Sequence, residues 1–461
     1  MSVTVTSDGA SPPESGIPLS STQEFLCMFN DGSDEGPFGP MYHVVRGWRV
    51  RGAIDVAALR GALGDVVERH EALRTAIVRG GQVPHQRILP ARPPKLLVQD
   101  ISVPDPRLRD RRVEEFLNEV EATEHHVGDL PLLRAVLGRL DDDDAVLALL
   151  AHHTACDGWS LRLIMRDLAS LYAARSGHEA PELPEARQYR EYTLWQRTDP
   201  TADRTREARD YWRDKLREAR LLAVPTDRPK TDRVGRTTST RRFLIDADLT
   251  SATLRFSASM RCSPFMVLLS AYNLLLHRRT GETDVVVPTI TSGRGHARFE
   301  ETVGSFFNFL PLRTDLSDCA TAREVVERTR ATCLGAQRHD IPFAQILEES
   351  PQLMQAASDP ARALCAFQVF QNPFVLDGRS IGDLEYSEVR RRLLSQPVSS
   401  DIPDGALWTL DIDPSGEMFG NLKFDGEEFD ESTVDGMIED FRRLLRQVVT
   451  APDAPAGVVS D

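Results

Sequence analysis

Residues His152-His-Thr-Ala-Cys-Asp-Gly-Trp-Ser160 hold the densest chemistry in this chain. Ala145-Val-Leu-Ala-Leu-Leu-Ala151 runs directly into them and is an apolar run of strand length. Directly after them Leu161, Ile164, Met165, Leu168 and Tyr172 recur at helical spacing, which predicts a helix from about Ser160. The two histidines therefore sit where a buried strand ends and a loop turns into a helix, a frequent setting for catalytic side chains. Neighbouring strand residues point to opposite faces, so His152 and His153 cannot share one role. One is expected in the packed interior and the other facing open space.

Working outward, a strand is predicted over residues 41–50 and a helix over 55–70, with Leu59, Leu63, Val66 and Val67 on its buried face. Residues 132–140 and 145–153 predict a hairpin around Asp141-Asp-Asp-Asp144. That acidic run is expected to be a solvated turn, because calcium loops space their oxygen ligands along a turning backbone. His125-His126-Val-Gly-Asp129 repeats the theme with one residue too few before its aspartate and is expected at the surface. Residues 202–222, rich in Arg and Glu around Tyr211, Trp212 and Leu216, predict a surface helix, and Val224-Pro-Thr-Asp-Arg-Pro229 marks the main boundary. Ser263-Pro264 is a helix start, Phe265, Leu268, Leu269, Tyr272, Leu275 and Leu276 its buried stripe, and Gly281 its stop. Residues 284–291 follow as an inner strand, 408–412 and 420–425 as a hairpin, and 432–449 as a final amphipathic helix. Strands and helices alternate irregularly, with no glycine-rich phosphate loop, in an α/β (α+β) pattern.

A chain of 461 residues is too long for one ordinary core. The expected division is a disordered tail over 1–16, an N-terminal lobe over 17–180, a helical connection over 181–225, a C-terminal lobe over 226–450 and a tail over 451–461. No apolar run reaches membrane-spanning length, and the N-terminus lacks a signal-peptide layout. Six scattered cysteines form no close pair, which suits a reducing cytoplasm and neither a zinc cluster nor a disulfide framework. A net charge of −15 argues against general nucleic-acid affinity.

The stretch from His152 to Gly158 resembles the His-His-x-x-x-Asp-Gly motif of nonribosomal peptide synthetase condensation domains. Six further segments resemble that family's motifs in the right order. Leu19-Ser-Ser-Thr-Gln-Glu-Phe-Leu26 departs at Thr22 and Phe25, whereas Arg69-His-Glu-Ala-Leu-Arg-Thr75 is close throughout. Tyr189-Arg-Glu-Tyr-Thr-Leu-Trp195, Val303-Gly-Ser-Phe-Phe-Asn308, His339-Asp-Ile-Pro-Phe343 and a weaker Gln371-Asn-Pro-Phe374 complete the set. The resemblance implies two lobes, each similar to chloramphenicol acetyltransferase, arranged as a V with an active-site tunnel between them. It implies no bound cofactor and an acyl donor carried on the phosphopantetheine arm of an acyl or peptidyl carrier protein.

By the same resemblance His153 carries the chemistry. An alcohol must lose its proton as the new bond forms, and imidazole suits that task near neutral pH. For an amine, His153 would instead orient the nucleophile or stabilise charge in the tetrahedral intermediate. His152 is expected to pack inward and hydrogen-bond. Asp157 is expected in a buried ion pair with Arg74 or Arg69, with a triad-like role toward His153 as the alternative. Gly158 would let backbone approach the thioester, and its N–H at a helix start would help hold an oxyanion. Cys156, Trp159 and Asn308 are candidate tunnel-lining residues. Cys156 as nucleophile and zinc on His152, His153 and Asp157 are the competing readings, the latter opposed by the divergence of adjacent strand residues.

The function expected is a free-standing cytoplasmic condensation enzyme of natural-product biosynthesis. It would join a carrier-tethered acyl or aminoacyl group to a small alcohol or amine, like the discrete enzymes that esterify a carrier-held β-amino acid in enediyne assembly. An acyl-CoA-dependent acyltransferase, an epimerisation domain and a non-catalytic recruitment module are the alternatives.

Overall fold

The computed structural model describes residues 16–29, 35–80, 83–198, 202–232, 237–371, 376–402 and 404–457. The expected N-terminal tail falls almost wholly outside these residues, as do positions 372–374 of the last motif. In the first half, β1 (His43–Arg51), β2 (Lys95–Asp100), β3 (Leu133–Arg139) and β4 (Asp144–His152) form one sheet. In the second half, β5 (Thr238–Ile245), β6 (Asp284–Thr291), β7 (Asn308–Asp315), β8 (Arg362–Gln371), β9 (Arg379–Ile381), β10 (Leu384–Glu388), β11 (Ala406–Ile412) and β12 (Met418–Asp425) follow. The first sheet runs β9-β10-β1-β4-β3-β2 and the second β7-β6-β8-β11-β12-β5, with Ala223–Pro225 pairing beside β8.

Every residue of β4 is buried, because helices cover both faces of the first sheet. Leu147, Leu149 and Ala151 pack with α2 (Val56–Arg69) and α4 (Gly158–Arg175), whereas Val146, Ala148 and Leu150 pack with α3 (Arg109–Glu121). Local chemistry fixes the helix ends. Asp55 caps α2 at Ala57 and Ala58, and Asp157 caps α4 at Ser160. In the second lobe Ser263 caps the helix Pro264–Thr280, and Gly281 closes it in a left-handed conformation at φ 77°.

Four expectations need correction. The C-terminal lobe is not one block over 226–450, because β10 leaves it and pairs antiparallel with β1 in the first sheet, Glu385–Glu388 opposite Arg51–Trp48. Conversely Phe25 and Leu26 of α1 (Ser21–Met28) and Trp212 of the connecting helix belong to the second lobe's core. Trp212 is fully buried and donates its indole N–H to the His339 carbonyl, so that helix has a core face as well as a surface one. The C-terminal segment is ordered as far as Gly457. Pro455 bridges Thr321, Ala456 is buried, and Asp453 pairs with Arg323, because the final helix returns the chain to the start of the helix Ala322–Arg338. Asp144 is also no solvated turn residue: it is buried at the start of β4, paired with Arg49, Arg51 and Arg109.

Candidate active site

The strand alternation that buries Leu150 toward α3 carries on to His152, which has no exposed surface. Its Nε2 meets the Gly39 carbonyl at 3.1 Å and its Nδ1 meets Thr154 Oγ1 at 2.8 Å. Burial pushes its pKa down to about 3. His43 lies directly opposite on β1. The His125 ring stands 6.5 Å away and is itself buried, its pKa lowered by burial to about 4. His125 therefore contradicts the surface assignment; only its neighbour His126 is exposed. The chain carries His125 inward because its backbone N–H bonds to Pro40 O just before the start of β1. Three neutral histidines thus form a packed wall behind the motif.

His153, past the end of the strand, is only partly buried. Its backbone N–H bonds to Tyr42 O at 2.9 Å, and its ring stacks on Tyr42 at 5.1 Å and meets Phe307 edge-on at 5.5 Å. Its Nδ1 lies 2.9 Å from Cys156 O. A carbonyl can only accept, so Nδ1 carries the proton and Nε2 holds the lone pair. Among the described residues nothing hydrogen-bonds Nε2. Burial lowers the ring's pKa, and the Asp157 carboxylate acts against that shift. The ring is a neutral base at neutral pH, held by its back edge.

Asp157 makes no hydrogen bond to His153 among the described residues. Its partner is neither Arg69 nor Arg74. Arg69 binds Asp167 at 2.8 Å, and Arg74 donates to the carbonyls of Val67 and Leu89. Arg69 ends α2 and meets α4 at its middle rather than its start, and Arg74 lies in the short helical turn that follows α2. Arg294 takes the place expected of them: its Nη2 lies 3.1 Å from each Asp157 oxygen and 2.8 Å from Ser160 Oγ. The Arg294 side chain is 3% exposed and lies over Phe306 at 4.1 Å. Arg294 comes from the segment after β6, so this ion pair ties the histidine loop to the second lobe. Gly293, at φ 61° and with Phe307 N only 3.0 Å from the position of a Cβ, permits the turn that aims it. An arginine between two glycines just past an inner strand was the only sequence signal.

Gly158 is the first residue of α4. The space beside its Cα is held by Arg46, whose Nη2 would stand 3.2 Å from an added Cβ. Arg46 is fixed by Glu388 of β10, which also takes Arg162 at 2.8 Å, so the strand added from the second half buttresses the site. Neither Arg46 nor Glu388 was visible as a site residue in the sequence. Cys156 is fully buried in the first lobe's core, its thiol donating to Asp157 O. Burial raises its pKa well above the ordinary value, which is adverse for a nucleophile. Trp159 is half-buried and donates to Glu300 O. Of the three residues expected to line a tunnel, Asn308 lines the large cavity and Cys156 and Trp159 do not.

That cavity, about 1230 Å³, lies between α1, α5 (Tyr189–Arg197) and the second lobe. Its walls are rich in aromatic side chains, including Phe25, Tyr192, Trp195, Phe307 and Phe309. Phe307 is shared between the cavity and the His153 ring. Among the described residues there is no cluster suited to a metal and no helix long and apolar enough to cross a membrane.

The Condensation domain family matches residues 14–460, nearly the whole chain. The chain belongs to the condensation-domain family. It is 34% identical over 453 residues to a probable non-canonical nonribosomal peptide synthetase, CymA, of Salinispora arenicola, covering 95% of this chain but 6% of that protein. It is 50% identical to SgcC5 of Streptomyces globisporus, whose crystal structure was solved with (R)-(-)-1-(2-naphthyl)-1,2-ethanediol and sucrose. That structure superposes with a TM-score of 0.91 and covers 95% of this chain and all of its own. The X-domain from teicoplanin biosynthesis is 25% identical, with a TM-score of 0.77 over 98% of this chain and 99% of that one. Condensation domains are transferases of natural-product assembly with the two-lobed, V-shaped fold expected above, and this chain shares that fold.

Proposed function

We propose that this condensation domain transfers an acyl or aminoacyl group from a carrier-protein phosphopantetheine thioester to an alcohol or amine acceptor, with His153 as the base. The observation that carries the reading is the orientation of His153: Nδ1–H is committed to Cys156 O, and Nε2, on a partly buried residue, is left as a lone pair with no hydrogen-bond partner among the described residues. As an acceptor oxygen attacks the thioester carbonyl, Nε2 takes its proton. When the C–S bond breaks, the resulting imidazolium returns that proton to the departing thiolate. The N-terminus of α4 beside Gly158 supplies partial positive charge for the intermediate oxyanion.

The aromatic-walled cavity behind Phe307 is the acceptor chamber in this reading, and an aryl or polycyclic acceptor suits it. The aryl diol bound to SgcC5 supports that class, and between the two nucleophiles favours the alcohol. Intact His152, His153 and Asp157 argue against a purely recruiting role. The test is turnover of purified protein with a carrier-bound thioester and with the matched acyl-CoA, each offered with the aryl diol. Product from the carrier thioester at much higher efficiency supports the proposal. Equal efficiency with acyl-CoA would replace it with an acyl-CoA acyltransferase, and no product from either would favour recruitment.

A further inference from the structure

The acceptor cavity reaches both faces of the strand pair β6–β7, which ends with Thr291 opposite Asn308. On one face Phe309 packs with Phe25 and Phe343. The other face looks toward the helices Pro264–Thr280 and Ala322–Arg338, as two contacts show. Thr314 of β7 donates to Thr332 of the second helix, Oγ1 to Oγ1 at 3.4 Å. Strand alternation then puts Leu312 and Leu310 on that same face. Thr289 of β6 stands directly opposite Leu310 in the antiparallel register, so its side chain shares the face. It also stands beside Phe367 of β8, whose ring stacks on Tyr272 of the first helix at 4.6 Å. Thr289 therefore points into the space between the sheet and these two helices.

The cavity enters that space, where Leu310, Leu312, Phe265, Met266 and Cys333 line it together with Thr289. Thr289 is 4% exposed, and its hydroxyl has no hydrogen-bond partner among the described residues. Other buried hydroxyls around it are bonded: Ser270 donates to Met266 O at 2.7 Å and Thr332 to Arg313 O at 3.0 Å. A buried hydroxyl left without a partner is destabilising, and a ligand oxygen that completes the bond removes that penalty. The surrounding leucine, phenylalanine and methionine side chains carry no counter-charge, so the fitting partner is neutral rather than ionised. Phe307 touches the His153 ring, and Leu310 lies three residues further along, roughly 10 Å at the rise of a strand. A fused aryl ring system covers that span. We propose that Thr289 is a specificity-determining residue that hydrogen-bonds a neutral hydroxyl on the acceptor's ring system, at the end remote from the nucleophile presented to His153. This inference rests on the reading of the cavity as the acceptor chamber and narrows the acceptor to an aryl or polycyclic compound with a remote hydroxyl.

The first measurement needs no ligand. Thr289→Val keeps the shape and replaces the hydroxyl by a methyl, so the full chain should melt no lower than the wild type. A clearly lower Tm, or a variant that does not fold, would reveal an internal partner for the hydroxyl and overturn the assignment. The second measurement is equilibrium binding by calorimetry, which is independent of turnover. The probes are 1-(2-naphthyl)-1,2-ethanediol and its isomers carrying one further hydroxyl on the outer ring. At least one isomer is expected to bind the wild type about fivefold or more tightly than the parent diol, the scale of a single neutral hydrogen bond. T289V should bind that isomer and the parent alike, whereas T289S, which keeps the hydroxyl, should retain the preference. The absence of any preference in the wild type, a preference that survives in T289V, or failure of every probe to bind overturns the assignment. Turnover of the parent diol with a carrier thioester by the wild type would persist if only this inference failed, and would be lost if the acceptor chamber itself were misplaced.

Discussion

Replacing Asp157 by Asn should destabilise the protein before it says anything about catalysis. The side chain serves two structures at once: it caps α4 through Ser160 N at 2.6 Å, and it pairs with Arg294, with Phe306 N at 3.3 Å adding a third bond. Asparagine keeps a carbonyl oxygen for the cap, so the roughly 1 kcal/mol of a lost N-cap is avoided. It removes the charge that faces Arg294, whose side chain is 3% exposed. Breaking one side of a buried pair costs about 3–5 kcal/mol. The Phe299 and Thr302 carbonyls and the Phe306 ring still compensate Arg294, which places the expected loss near the lower bound, about 3 kcal/mol or roughly 150-fold in the unfolding constant. Urea unfolding followed by circular dichroism measures it. Arg294→Met should cost a similar amount, and in the double variant the second change should add little, because the charge left unpaired by the first is gone. A D157N protein within about 0.5 kcal/mol of wild type yet inactive would refute this reasoning and give Asp157 an electrostatic role toward His153. Strict additivity of the two single losses would refute the pairing itself.

His153→Ala should lower turnover by roughly 10²–10⁴-fold without changing the far-ultraviolet spectrum, since a general base contributes about that much and the ring is partly exposed. Because burial holds the His153 pKa below 6.5, the rate with an alcohol acceptor should be flat through neutrality and fall only as pH drops below that value; a midpoint above 6.5 in the free-enzyme profile would contradict the structure. His125 and His152, with pKa values of about 4 and 3, stay neutral when folded and take up protons first when unfolded. Their stabilisation is complete above pH 6.5 and is lost as pH falls through the window from 6.5 toward 4, by about 1.4 kcal/mol per pH unit for each proton. His125→Phe should flatten that acid slope, which urea midpoints across the window would show. Asn308→Ala should loosen the link between β7 and the segment Asp340–Phe343, raising acceptor KM more than it lowers stability, as steady-state kinetics beside thermal melts would show.

The histidine loop was legible because its information is local. Strand alternation required that His152 and His153 face different ways, and the family resemblance assigned the inward place to His152. The spacing of Leu161, Ile164 and Leu168 gave the helix that follows, and Ser263, Pro264 and Gly281 gave both ends of another. Each depends on residues within a turn or two of chain, so no fold had to be known. Seven motifs in order along the chain were enough to point to the family, since motif order is a property of the sequence and not of its packing.

What only the tertiary structure decided was which distant segments meet. Asp157 announces a need for a cation, but nothing local distinguishes Arg69, Arg74 and Arg294; the choice follows from the approach of a loop 137 residues away. His125 reads as a surface histidine until Pro40, just before the start of β1, is seen to bond its backbone. Glu388 joins the site because β10 is added to the first sheet across more than three hundred residues of chain, supporting Arg46 and Arg162 from a strand of the second half. Ion pairs and strand additions are stabilised by contact and desolvation rather than by sequence spacing. The sequence alone therefore determined where the paired histidines stand, at the end of a buried strand before a helix, whereas the packing of the two lobes decided what holds His153, what lies behind it and which space it faces.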